Sequence, residues 1–191
     1  MSGSQKNKVN KNPTRARRVT DTVHLTGDAA ATTRRGERSN TTISIDADYW
    51  AWLHDQAAVL RGLSGELGLD CENLAEELEA MARKDRTSLR SHLQNLLSHL
   101  LKWHYQPTRR NSSWQRTIDE SRDSIEDLFD ESPSLRTVLT QVFAESKAYA
   151  RAVRDALRET GPLPYPTQSP WTLEQVLNPN FPPDLHDPLL V

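Results

Sequence analysis

From Leu69 to Tyr105 the apolar positions recur at helical steps, and they predict one long helix. Leu74, Leu78, Met81, Leu89, Leu93, Leu96, Leu100 and Trp103 follow each other at three, four or multiples of these. No Gly or Pro interrupts the run before Pro107. Asp70 is the expected N-cap, because its carboxylate can accept from the unpaired amides of the first turn. Leu69 and Leu74 flank it with the spacing of a hydrophobic staple. Such a helix rises roughly 50 Å, enough for several shorter helices to lean on.

Upstream, Tyr49, Trp50, Leu53, Ala57 and Leu60 share a helical face, with Asp46 as the expected cap, an Ile45/Trp50 staple and Gly62 as the stop. Downstream, Gln106-Pro107 forces an exit from the long helix. Ser112 and Gln115 then read as a capping box that opens a helix on Trp114, Ile118, Ile125 and Leu128. Ser132-Pro133 opens another, with Leu135, Val138, Leu139, Val142, Tyr149, Val153 and Leu157 as its stripe and Gly161 as its stop. A proline-rich strap follows, and Ser169-Pro170 opens a last short helix before the chain frays past Pro179. No stretch alternates with a period of two, so the expected fold is all-α, a helical bundle around one central helix.

Charge divides the chain. Residues 1–40 hold nine Lys/Arg against three Asp/Glu, a net +6, which leaves fifteen basic and twenty-three acidic residues, a net −8, on the rest. The first 42 residues are too poor in apolar side chains to offset their ordering entropy. The expected organisation is therefore a disordered basic arm over 1–42, a helical domain over 43–182 and a disordered tail over 183–191. A single cysteine, Cys71, excludes an intrachain disulfide framework and fits a reducing compartment. No apolar run approaches the length of a membrane span, and no secretory leader is evident. No membrane insertion and a cytoplasmic location are expected.

The runs Glu72-Asn73-Leu74-Ala75-Glu76-Glu77-Leu78-Glu79 and Leu96-Leu97-Ser98-His99-Leu100-Leu101-Lys102-Trp103 are joined by Tyr105-Gln106-Pro107, Ser113-Trp114, Ser132-Pro133-Ser134-Leu135 and Trp171-Thr172-Leu173-Glu174-Gln175-Val176-Leu177. In that order they resemble the bacterial domain of unknown function 29 family of cyanobacteria and proteobacteria, over roughly residues 46–182. The segment Met81-Ala82-Arg83-Lys84-Asp85 departs from the Met-Gly-Arg-Ser-Glu run of that family. The resemblance implies an all-helical bundle and carries no established activity.

Three kinds of chemistry have candidate residues. Lys102, Arg109, Arg110 and Arg116 cluster about the turn after the long helix, with Trp103, Tyr105 and Trp114 interleaved. Basic side chains beside aromatics suit a phosphate backbone and stacked bases, or the acidic surface of a protein. Glu77 and His99 are the fallback pair for a metal, since bundles build such sites from inward Glu and His. No His of the helical body (His54, His92, His99, His104 or His186) has an acidic residue three or four positions before it, so no metal and no cofactor is expected. Neither a nucleophile elbow nor a phosphate-cradling glycine loop is present. The expected function is thus a non-catalytic helical interaction protein whose basic arm docks an acidic partner. The alternatives are a nucleic-acid-binding module and a metal-dependent hydrolase-like bundle.

Overall fold

The computed structural model describes residues 43–63, 65 and 68–186. The basic stretch 1–42 lies outside the described residues. The described chain forms six α-helices and no strand: α1 Tyr49–Gly62, α2 Cys71–Tyr105, α3 Ser112–Glu131, α4 Leu135–Ala144, α5 Lys147–Thr160 and α6 Leu173–Leu177. The long central helix is there as expected, with 35 residues and a length of about 52 Å. Asp70 caps it, its side chain accepting from the Asn73 amide at 3.2 Å.

Two different halves make up α2. From Leu89 to Trp103 it is the centre of the core, where Leu93, Leu96, Leu97, Leu100 and Leu101 pack with Ile118 and Ile125 of α3, Leu139 of α4 and Ala152 and Ala156 of α5. Before Leu89 it buries only Cys71, Ala75 and Ala82, small side chains that let α1 lie close through Leu53 and Ala57. Contacts along the pair fix α1 antiparallel: the Trp50 indole donates to the Ala82 carbonyl at 3.2 Å, and Arg61 at the other end pairs with Glu72 and Glu79. The expected stripe is corrected at this end. Leu74 and Met81 are each 46% exposed, and the alanines beside them face the neighbour instead. The proposed staple partners Leu69 and Ile45 are exposed as well.

The starts of α1 to α4 lie within two residues of expectation, whereas α6 begins at Leu173, three residues after the expected Pro170. Asp48, not Asp46, caps α1, accepting from the Ala51 amide at 2.9 Å. The same carboxylate accepts from the Ser134 amide at 2.7 Å and the Ser134 hydroxyl at 2.9 Å, while the Ser132 hydroxyl accepts from the Trp50 amide at 2.9 Å. Two helix starts 86 residues apart therefore hold each other, each supplying the acceptor that the other's orphan amides need. Asn111 caps α3 in place of the expected Ser112, which becomes its first helical residue. The one capping box formed is Thr172 with Gln175, at α6.

The single helix expected from Ser132 to Gly161 is two. It breaks at Glu145-Ser146, where Ser146 takes a left-handed conformation (φ 57°). The break turns the stripe: α5 buries Ala148, Tyr149, Ala152 and Ala156, and leaves Val153 and Leu157 half-buried. Gly161 stops α5 as expected, at φ 80°.

The chain does not fray at Pro179. Leu185 is fully buried, and Asp184 meets Trp103 and Arg110. The tail expected from 183 onward is thus packed at least as far as Leu185, and 187–191 lie outside the described residues. Arg122 of α3, itself buried, holds this segment by donating to the carbonyls of Val176, Pro179 and Phe181 at 3.0, 3.5 and 2.5 Å.

Candidate functional site

The turn after α2 places the predicted basic residues in quite different settings. Gln106 ends α2, and Pro107–Arg109 forms one 3-10 turn before Asn111 caps α3. Arg109 stays exposed, and its guanidinium meets only the Gln106 side chain, at 3.4 Å, among the described residues. Arg116 is exposed and pairs loosely with Glu120 at 3.7 Å. Arg110 is consumed internally. It donates to the Trp103 carbonyl at 3.0 Å, pairs with Asp184 at 2.6 Å and lies over the Trp103 ring at 5.0 Å. Trp103 in turn donates its indole N–H to Asp184 at 3.2 Å. A mostly apolar hollow of about 410 Å³ opens beside this knot, walled by His104, Arg110, Trp171 and Phe181.

Lys102 is the largest departure from expectation. It has no exposed surface at all. Its ammonium lies 2.5 Å from the Glu159 carboxylate of α5, 2.9 Å from Nε2 of His99 and 5.3 Å from the centre of the Trp114 ring. Three N–H bonds thus find three electron-rich neighbours. Lys102 and Trp114 do belong to one cluster, but that cluster points inward, and Lys102 offers nothing to a phosphate or a partner surface.

His99 takes its state from this arrangement. Nε2 faces an ammonium and must accept, so the ring proton sits on Nδ1, which donates to the Asn95 carbonyl at 3.0 Å. Burial holds the imidazole pKa below its ordinary 6.5, and the Lys102 charge adds to this. Glu77, the other half of the fallback pair, is exposed on the same helix 22 residues earlier. That is about 33 Å of helix, too far for one ion to touch both. Among the described residues no group of three or more His, Cys, Asp or Glu side chains converges as a metal would require.

Sequence reading missed what surrounds the buried lysine. A polar cleft of about 220 Å³ runs between α2 and α5, lined by Ser91, Gln94, Asn95 and Ser98 on one side and Asp155, Arg158 and Glu159 on the other. The signal was present: 91, 94, 95 and 98 share a helical face, and so do 155, 158 and 159. Weighing only His, Cys and basic residues passed over it.

The family model for the domain of unknown function DUF29 matches residues 45–182. The chain belongs to the DUF29 family. The match covers every helix described above, from α1 to α6. No curated protein and no solved structure is similar enough to this DUF29 chain to count as a match. No helix among the described residues is long and apolar enough to cross a membrane.

Proposed function

We propose that this DUF29 protein is a non-catalytic helical interaction protein, whose described body takes up an amphipathic, basic helical segment of a protein partner. The carrying observation is the uncovered face on the first half of α2, where Leu74 and Met81 are each 46% exposed and Leu78 lies half-buried between them. Steps of four and three are the anchor spacing of a helix laid along a helix. Asp70, Glu77 and Asp85 fall within about 70° of the centre of that stripe at helical pitch. Burial raises the Asp85 carboxyl above its usual range, and the nearby Glu131 adds to this. The half-buried Asp85 carboxyl with Glu131 near it calls for a cation opposite, which is why the occupant is basic.

The stretch 1–42, net +6, supplies a second and opposite charge. In this reading it steers the chain toward an acidic surface, on sequence charge alone.

The test uses a fluorescein-labelled Leu/Lys amphipathic peptide titrated with the full chain and with a Leu74→Ser/Met81→Ser variant. Saturable anisotropy with the natural chain, lost in the variant while its circular dichroism stays helical, supports the reading. Equal binding by both chains overturns it. So does concentration-dependent dimerisation that buries the stripe and excludes the peptide, which would assign the face to a second copy.

A further inference from the structure

The polar cleft between α2 and α5 contains a hydroxyl group with nothing to do. Ser98 is only 3% exposed, lines the cleft, and its Oγ has no hydrogen-bond partner among the described residues. Helical hydroxyls elsewhere in the chain show the default alternative. Thr87, Ser91, Thr117, Ser124, Thr140 and Thr160 each donate back to the carbonyl four residues earlier, at 2.7 to 3.1 Å. Ser98 makes no such bond. A buried polar atom left unpaired costs free energy, and such atoms are rare enough to call for a cause.

The other groups around the cleft decide what would satisfy it. Asn95 spends one amide N–H on Ser121 at 3.1 Å, and Gln94 spends one of its own on Asp155 at 2.5 Å. Ser91 donates to Thr87. Each amide keeps one further N–H, and what these side chains otherwise have left is acceptor capacity: two amide oxygens and the lone pairs of Ser91. Glu159 is matched by Lys102, and all three Lys102 donors are already directed at His99, Glu159 and Trp114. Asp155 has only Arg158 as a cation, at 3.5 Å with the Arg158 side chain 80% exposed, a pairing that water largely screens. The cleft is therefore richer in acceptors than in free donors, and its Asp155 charge is met among the described residues only by the exposed Arg158.

We infer that the α2–α5 cleft is a binding site for a small organic cation bearing a primary ammonium group, held by the Asp155 carboxylate, the Ser98 hydroxyl and the free amide oxygens of Gln94 and Asn95. A primary ammonium brings three N–H donors and one positive charge, the complement of what the cleft leaves open. A charge-assisted bond to Asp155 supplies strength, and Ser98 supplies selectivity at the buried end. The site lies on the second half of α2, apart from the uncovered stripe, and stands or falls independently of it.

The test is calorimetric titration of the full chain with ethanolamine, putrescine and spermidine, with glycerol and acetate as neutral and anionic controls. Thermal unfolding with and without each compound is the second readout. Expected is saturable binding of at least one amine below about 10 mM, with no saturable binding of acetate or glycerol. Asp155→Asn should weaken the amine by about tenfold or more. Ser98→Ala is the sharper variant: its ligand-free Tm should equal or exceed that of the natural chain, while the amine-induced rise in Tm shrinks or disappears. No saturable amine binding, amine binding indifferent to both variants, or equal uptake of glycerol each overturns the inference.

Discussion

Removing the Glu159 charge leaves Lys102 enclosed with no opposite charge, and the two ends of that pair predict how much stability goes with it. The Lys102 side chain is 0% exposed and that of Glu159 is 54% exposed. A fully enclosed pair broken on one side costs about 3–5 kcal/mol, and a fully exposed one about 0–1 kcal/mol. With one partner in each setting, Glu159→Gln should cost about 1–3 kcal/mol, because His99 and the Trp114 ring remain on the ammonium and the amide oxygen can still accept. Lys102→Met should cost less, under about 1.5 kcal/mol, since it keeps the volume and removes the need for a counter-charge. The double variant should lie near Lys102→Met alone, giving a coupling about as large as the Glu159→Gln cost, about 1–3 kcal/mol. Urea unfolding of the full chain, followed by tryptophan fluorescence and by circular dichroism, measures all four species. Raising the salt should weaken the coupling only in part, because the ammonium is enclosed while the carboxylate is 54% exposed. A Lys102→Met chain less stable than Glu159→Gln, or a coupling near zero, would refute the reasoning that the charge is tolerated only through Glu159.

Other expectations follow from burial and charge. Leu100→Ala, at 1% exposure, should cost about 2–5 kcal/mol, whereas Met81→Ala, at 46% exposure, should stay within about 0.5 kcal/mol; urea midpoints compare the two. The lowered pKa of His99 means that the unfolded chain binds more protons than the folded one below pH 6.5. Its contribution is therefore fully present above 6.5 and is lost as pH falls toward the depressed folded value. Thermal unfolding across that window should show the loss in the natural chain and less of it in His99→Gln. Arg110→Ala should cost about 1–3 kcal/mol by orphaning the Trp103 carbonyl and Asp184, and limited proteolysis should then cut sooner near residues 182–186.

The long helix was legible because length, spacing and cap agreed, and the Asp70 cap was placed to the residue. Its exposed half was not, since a stripe of leucines reads as buried whether or not a neighbour arrives to cover it. Tertiary supply decides that, and α1 lies against the alanines instead. The break between α4 and α5 was invisible for a related reason. It falls on Ser146 with neither Gly nor Pro beside it, and the apolar stripe continues on both sides. At the turn, composition grouped four cations and two tryptophans as neighbours in sequence. It could not tell that Lys102 points inward and Arg110 back on its own chain, because the acid partners, Glu159 and Asp184, arrive from 57 and 74 residues away. Ser98 was passed over because a serine within a leucine-rich run reads as filler until its missing partner is seen.

The clasp made by Arg122 has a consequence for how the chain may be altered. Its three acceptors are main-chain carbonyls at 176, 179 and 181, groups that nearly every substitution preserves. The guanidinium therefore recognises the route of the segment and not its side chains, so its exposed residues, such as Asn178 and Asn180, can change as long as the path is kept, while Val176, Asp184 and Leu185 are held by contacts of their own. Length is another matter. A protein ended at residue 178 would retain all six helices, yet it would strand a cation that the full-length chain never exposes.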